Sequence, residues 1–285
     1  MPRQRLWKVG GTGKALLFLA LVELSNPGAG IAWGTNAQRL IVNHAVDTLP
    51  YDLRSFFEAN RNFLIQHVND PLNVLDKHPN ERQNHFIELD KYGKFPFEAL
   101  PRSYKAALAK YSKSKIDSTG TLPWQIGVYS AKLTEDMKTG HWDEAKVDAA
   151  FLANYVAEAH DPFNTTENYD GRLTGQTGVN ERFNTMLMDR YGSFFPLNSH
   201  DAVFITDPTD YAFDMCLNAH SVLEAVLLAD RNAKRGQSSY TDEYYDHFYN
   251  LAAAPLIKQL SDASTDVGSY WLTAWTNAGK PPLPH

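Results

Sequence analysis

Apolar residues return along one helical face through most of this chain. Over residues 35–49, Ala37, Leu40, Ile41, Ala45, Val46 and Leu49 follow that face and Pro50 stops the run, which predicts one amphipathic helix. Residues 53–68 predict a second, with Phe56, Phe57, Phe63, Leu64 and Ile65 as bulk and Asn69-Asp70-Pro71 as its end. Residues 69–102 are richer in Asn, Asp, Pro and aromatics and predict irregular structure, with His85-Phe-Ile-Glu-Leu as a short extended piece. Helix resumes over 104–111, yields to a polar linker over 113–121, and restarts at Leu122-Pro123 with Ile126, Val128, Tyr129 and Leu133 toward the core. The clearest helical pattern is Trp142–Ala159, which buries Ala145, Val147, Ala150, Phe151, Tyr155 and Val156 until Asp161-Pro162 breaks it. The Gly- and Asn-rich residues 164–178 predict a surface loop beside a site. Residues 179–191, 211–231, 239–254 and 254–275 are helical by pattern, and nothing alternates like a strand or repeats. The predicted fold is one all-α domain.

Composition adds an export signal to that picture. Arg3, Arg5, Lys8 and Lys14 precede the apolar run from Ala15 to Val22, and Gly30 and Ala32 supply a small-residue cleavage site. The run is shorter than the roughly 20 residues a bilayer requires, and no later stretch reads as a transmembrane segment. Residues 1–32 are therefore expected to be a signal peptide and 33–285 the mature domain, secreted or periplasmic. Cleavage leaves 23 basic against 32 acidic residues, a net charge of −9, which gives no long-range help to general nucleic-acid binding. Cys216 is the sole cysteine, so no internal disulfide is possible and the expected role is buried filler.

Against this background the polar positions of residues 154–184 stand out. Asn154 and Glu158 lie four apart, as do Asn180 and Asn184, so each pair points two side chains from adjacent turns at one spot. Asn164 falls between the pairs. This is metal-site spacing filled mainly by amides. Taken singly, Asn164 and Asn180 also suit helix capping beside the Gly-rich loop.

Trp33-Gly34, the run Leu40-Ile-Val-Asn-His-Ala-Val-Asp47, Asn84-His85-Phe86, Gly120-Thr-Leu-Pro-Trp124, Tyr155-Val-Ala-Glu-Ala-His-Asp-Pro-Phe-Asn164 and Val179-Asn-Glu-Arg-Phe-Asn184 together resemble the superfamily of zinc-dependent phospholipase C and single-strand-specific nucleases. The resemblance implies an exported all-α protein that cleaves phosphodiester bonds with three clustered zinc ions. It implies that Trp33, once freed by cleavage, holds a metal through its amino group and carbonyl, with Gln38 where the family has a His. Asp70 and His85 match the Asp and His of the next metal, and that Asp is also the implied catalytic base. The family's His-x3-Asp-x5-His falls on Asn154, Glu158 and Asn164, and its final His-x3-Asp or Glu on Asn180 and Asn184. Trp33, Asp70 and His85 thus keep the family residue, Glu158 exchanges one carboxylate for another, and Gln38, Asn154, Asn164, Asn180 and Asn184 have lost theirs.

Neutral amide oxygens are poor partners for zinc, so the expected centre holds fewer than three ions. Asp70, His85, Asn154 and Glu158 could still hold one divalent ion, zinc by resemblance, with Mg²⁺ or Mn²⁺ as harder alternatives. The expected function is a metal-dependent hydrolase of a small phosphodiester or phospholipid head group with a modified, single-metal site. The alternatives are an impaired member that binds a ligand without turning it over, or a single-strand nuclease. His160 is a lesser candidate, since it points to the other side of a regular helix from Glu158.

Overall fold

A computed structural model of the chain describes residues 33–75 and 77–284, and the expected signal peptide, residues 1–32, lies outside them. Every regular element among the described residues is helical, so the all-α expectation holds. The order is α1 (Thr35–Asp47), α2 (Tyr51–Ala59), α3 (Arg61–His67), α4 (Asp70–Asn73), α5 (Tyr104–Lys110), α6 (Lys113–Thr119), α7 (Leu122–Thr139), α8 (Trp142–Ala159), α9 (Val179–Glu181), α10 (Leu187–Tyr191), α11 (Pro208–Ser221), α12 (Leu223–Lys234) and α13 (Asp242–Asn277). Short 3-10 turns and one π turn, Arg182–Met186, fill the intervals.

The axis of the molecule is α13, 36 residues long, against which α1, α7, α8 and α12 pack. It runs through Pro255 without ending, because a helix held along its length by neighbours can absorb one lost hydrogen bond. Its buried Trp271 stacks on Phe57 at 4.4 Å and donates its indole N–H to Ala149 O at 3.0 Å, joining α2, α8 and α13. Gly268 brings α1 close, since a Cβ there would lie 2.0 Å from Thr48 Oγ1.

The α10–α11 connection contains no helix over residues 196–207, yet it is tied down by the hydroxyls of α13. The backbone N–H groups of Asn198, His200, Val203 and Ile205 donate to Ser261, Thr265, Ser269 and Thr273, which recur every four residues. A helix presents such positions as one straight row.

Several elements differ from the sequence expectation for local reasons. The stretch 53–68 is two helices, broken at Asn60, whose side-chain amide donates to Phe56 O at 2.8 Å. Asp70-Pro71 opens α4 instead of ending α3, with Pro in the first turn where its missing N–H costs nothing. The expected linker after Ser112 is the helix α6, capped by Ser112 Oγ, which accepts from Lys115 N–H. Residues 211–231 divide at Val222, and the two stretches from 239 to 275 are one helix. Val128 and Val147, expected in the core, are 58% and 38% exposed, because they fall at the edge of their helices' buried stripes. Pro208–Lys234 is long and apolar enough by composition to cross a membrane, but half of its apolar window is buried inside the protein, as in a core helix. Cys216 is buried.

The 164–178 segment is also less superficial than its Gly and Asn content predicts. Asn164, Thr165, Thr166, Asn168 and Gln176 are buried, and Asp90 holds the turn by accepting from the backbone N–H of Glu167 and from Thr166 Oγ1. Of the expected extended piece 85–89 only Phe86 has extended backbone; His85 ends one 3-10 turn, Leu89 begins the next and donates its N–H to Ile87 O, and the residues between bond single groups such as Asn164 O and Leu122 N–H.

Candidate functional site

Asn154 and Glu158 lie one turn apart on the inner face of α8 and both are fully buried. The break at Asp161-Pro162 turns the chain back so that Asn164 Nδ2 donates to Glu158 O at 3.3 Å. Asp161 Oδ1 accepts from Phe163 N–H, which fixes that turn, and its Oδ2 accepts from Asn184 Nδ2 at 2.6 Å. Asn184 also donates to Asn180 Oδ1 at 2.8 Å, and Asn180 donates to Tyr169 O at 3.0 Å. The π turn that carries Asn184 is a conformation often found at functional positions. Trp33 is buried and donates its indole N–H to Ala157 O at 2.8 Å, beside Glu158. His85 reaches the same carboxylate from the loop side, with Nδ1 2.7 Å from Glu158 Oε2.

Trp33, His85, Glu158, Asn164, Asn180 and Asn184 are thus brought into one hydrogen-bonded frame. Asp70 is not tied into it. Its Oδ2 lies 2.7 Å from His67 Nδ1 at the half-exposed start of α4. His160 points elsewhere, with Nε2 3.0 Å from Asp266 Oδ2 and Nδ1 3.4 Å from Gln259 Oε1, so α13 claims both its nitrogens.

The sequence reading passes over Glu81. Its Oε1 lies 3.3 Å from His85 Nε2 and accepts from the Tyr155 hydroxyl. Its position four residues before His85 is the signal that could have exposed it. His85 therefore stands between two carboxylates, each of its ring nitrogens facing one. Burial pushes the imidazole down, but the charges of Glu158 and Glu81 outweigh it and raise the group to about 9. Burial pushes Glu158 up, against the pull of His85. Burial also pushes Glu81 up, but the neighbouring His85 and hydrogen bonds from Tyr155 and Asn84 win and hold it below its ordinary value. Asp161 is raised by burial to about 7, with the Phe163 amide and Asn184 opposing.

The frame also leaves buried polar atoms without partners. His85 Nε2, both amide atoms of Asn154, Glu158 Oε1 and Asn184 Oδ1 make no hydrogen bond within the protein, and neither do the two amide atoms of Gln38, buried on α1. Buried polar groups are rarely left so, which marks a place for something polar.

These donors do not fit the three-zinc centre that the resemblance implies. Zinc takes imidazole nitrogen, thiolate or carboxylate, and of the orphaned atoms only His85 Nε2 and Glu158 Oε1 are of those kinds, the rest being amides. Among the described residues no group of three or more His, Cys, Asp or Glu is arranged to hold a metal ion. The Gln38 and Asn154 amide N–H groups need acceptors, which a cation cannot supply and a water or an anionic oxygen can. Next to Asn164 a cavity of about 190 Å³ is lined by Arg82, Phe86, Glu88, Phe163, Thr166 and Tyr169.

No protein-family model matches the chain, and no curated protein does. Solved structures do. The chain is similar to the alpha-toxin of Clostridium perfringens from avian strain SWCP, with a TM-score of 0.55 and 16% identity over 82% of this chain and 62% of that one. It is also similar to the alpha toxin of Clostridium absonum, with a TM-score of 0.52 and 13% identity over 87% of this chain and 65% of that one. The chain thus spans under two thirds of the length of either toxin, and at these identities what the three share is the all-helical fold.

Proposed function

We propose that this protein uses the phospholipase C-type helical scaffold to bind a small phosphodiester or phospholipid head group without hydrolysing it. The observation that carries this reading is the setting of His85, whose Nδ1 lies 2.7 Å from Glu158 and whose Nε2 faces Glu81 at 3.3 Å without a hydrogen bond. A ligating imidazole must offer a lone pair, and the charges of the two carboxylates favour the protonated ring, which has none to offer. Hydrolysis in the resembled family depends on metals that activate water and neutralise phosphate oxygens, and amides at positions 38, 154, 164, 180 and 184 supply neither. The amides do suit binding. The unpartnered N–H groups of Gln38 and Asn154 can donate to phosphate oxygens, and the Arg82, Glu88 and aromatic side chains beside Asn164 offer both charges and apolar faces to a zwitterionic head group.

The test is made on mature protein. Elemental analysis should give well under one zinc per chain, a chromogenic phosphocholine ester should show no turnover with Zn²⁺, Mn²⁺ or Mg²⁺, and phosphocholine should bind saturably by calorimetry. Metal near three ions per chain, or turnover with any of the three cations, would overturn the reading.

A second reading, a hydrolase with one divalent ion, is favoured by Glu158 Oε1 and Asn154 Oδ1, two unpartnered oxygens one turn apart. It requires Asp70 to leave His67, and turnover lost in Asp70→Asn would identify it. Nuclease action would draw on the same ion, and the net charge of −9 gives it no assistance. Export belongs to both readings, and sequencing the secreted protein should give Trp33 as its first residue.

A further inference from the structure

Along α7, and reaching Gln83 and Asn84 of the turn that carries His85, lies an open groove of about 780 Å³ that no part of the proposed function uses. Its walls are the turn carrying Arg102, Ser103 and Tyr104, the outer face of α7, and the start of α11.

The guanidinium in the groove is already paired from within. Arg102 is paired with Asp210 at 2.8 Å and Asp214 at 2.7 Å, and Asp207 Oδ1 accepts from Thr209 and Asp210 N–H at the head of α11. No cation remains for a phosphate or a carboxylate, so an anionic ligand does not fit.

The apolar part of the groove is rigid. Trp124 donates its indole N–H to Arg102 O at 2.7 Å and is clamped between Tyr104 at 5.3 Å and Phe213 at 5.2 Å, both edge-on. Tyr104 is 38% exposed, and Val128 on α7 is 58% exposed, so a strip of ring and branched aliphatic surface faces solvent. Helical periodicity predicts Val128 for the core, and its exposure in a groove is the departure that draws attention. Gly127 sets the depth, since a Cβ there would lie 2.1 Å from Thr209 Oγ1 and would push α11 away. Around the strip stand neutral hydrogen-bonding groups, the Gln83 amide and the Ser103 and Thr209 hydroxyls, with the carboxylate of Asp210 at the edge.

From this geometry we infer that the groove is a binding site for a neutral oligosaccharide. A pyranose has one face of C–H groups and a rim of hydroxyls. The face matches the Tyr104 and Val128 strip, and the rim matches amide, hydroxyl and carboxylate partners that both donate and accept. Tyr104 packs against the clamped Trp124, which lowers the cost of ordering the ligand's seat. The volume lies within the range of small-molecule sites. The sugar reading does not depend on the head-group reading.

The experiment is calorimetry of the mature protein with the neutral trisaccharides maltotriose, cellotriose and chitotriose at millimolar concentration, beside a sialylated trisaccharide, and with an array of immobilised neutral glycans. At least one neutral sugar should bind, more tightly than the sialylated one. Tyr104→Ala should weaken it at least tenfold, Tyr104→Phe by no more than a few-fold, and Gln38→Met on α1 not at all. Binding in solution identifies a free sugar as the ligand, and binding on the array alone identifies a surface-borne glycan. Absence of binding in both formats overturns the inference. Binding that Tyr104→Ala leaves unchanged, with the variant's melting temperature intact, overturns it equally.

Discussion

Arg182 and Asn184 sit two positions apart in the same π turn, yet they enter buried clusters of different kinds. Arg182 donates from Nε and Nη2 to Asp230 Oδ1 at 3.0 and 2.9 Å, from Nη1 to Thr177 O at 2.8 Å, and from Nη2 to Gln176 O at 3.1 Å. Asp230 accepts in addition from the Tyr244 hydroxyl and from Gln176 Nε2. In that cluster the groups have partners and the ion pair is sealed. In the frame around Asn184, His85 Nδ1 and Glu158 Oε2 are paired, but His85, Asn154, Glu158 and Asn184 keep atoms with no partner, as does Gln38 on α1. A satisfied polar cluster joins helices together, and an unsatisfied one holds a place for a ligand at a cost in stability.

The sharpest way to break this comparison is to remove one charge from each cluster. Asp230→Ala leaves a buried guanidinium without its counter-ion and should cost about 3–5 kcal/mol in urea unfolding. His85→Ala strands the Glu158 carboxylate and should cost about 3 kcal/mol, less if water enters the frame. A smaller effect separates the clusters by sign. Gln38→Met removes two unpartnered polar atoms and should leave stability within about 1 kcal/mol of wild type or raise it. The same variant should weaken phosphocholine binding, and a loss above about 2 kcal/mol would show that Gln38 is structural after all.

The smallest effect lies outside both clusters, between α7 and α8. Burial and the neighbouring Asp148 raise Asp136 to about 6. Its folded value is above the unfolded one of roughly 3.9, so its proton favours the folded state at low pH and that contribution is lost as pH rises through 6. Asp136→Asn should leave the urea midpoint unchanged at pH 4 and raise it at pH 7.

The sequence made the scaffold legible where periodicity and stop signals agree. Trp142–Ala159 was marked at its far end by Asp161-Pro162, and the structure gives the same range. It hid α6, whose residues are mostly solvated, so no apolar stripe betrays it and only the Ser112 cap could have. It hid the join of the two stretches into α13, because Pro255 reads locally as a stop. At the site, the four-residue spacings of Asn154 with Glu158 and Asn180 with Asn184 pointed to one frame, since spacing on a helix is geometry. The partner of each group was not legible. Asp70 turns to His67, while Glu81 takes the other side of His85, and those choices depend on the 3-10 turn over Pro79–His85, whose course no periodicity records.

The row of hydroxyls on α13 gives residues 198–205 an unusual dynamic signature. By secondary structure this stretch should exchange its amide hydrogens within seconds and be open to proteases. Instead the amides of Asn198, His200, Val203 and Ile205 are held by Ser261, Thr265, Ser269 and Thr273, and that of Ala202 by Thr48 O. Protection should therefore come in an interrupted pattern, with slow amides at those five positions and fast ones between them. The stretch is paced by the helix beneath it, so inserting one residue at its centre would put every later amide out of step with its hydroxyl. A connection that looks like the most permissive part of the chain is thus among its least tolerant of a change in length.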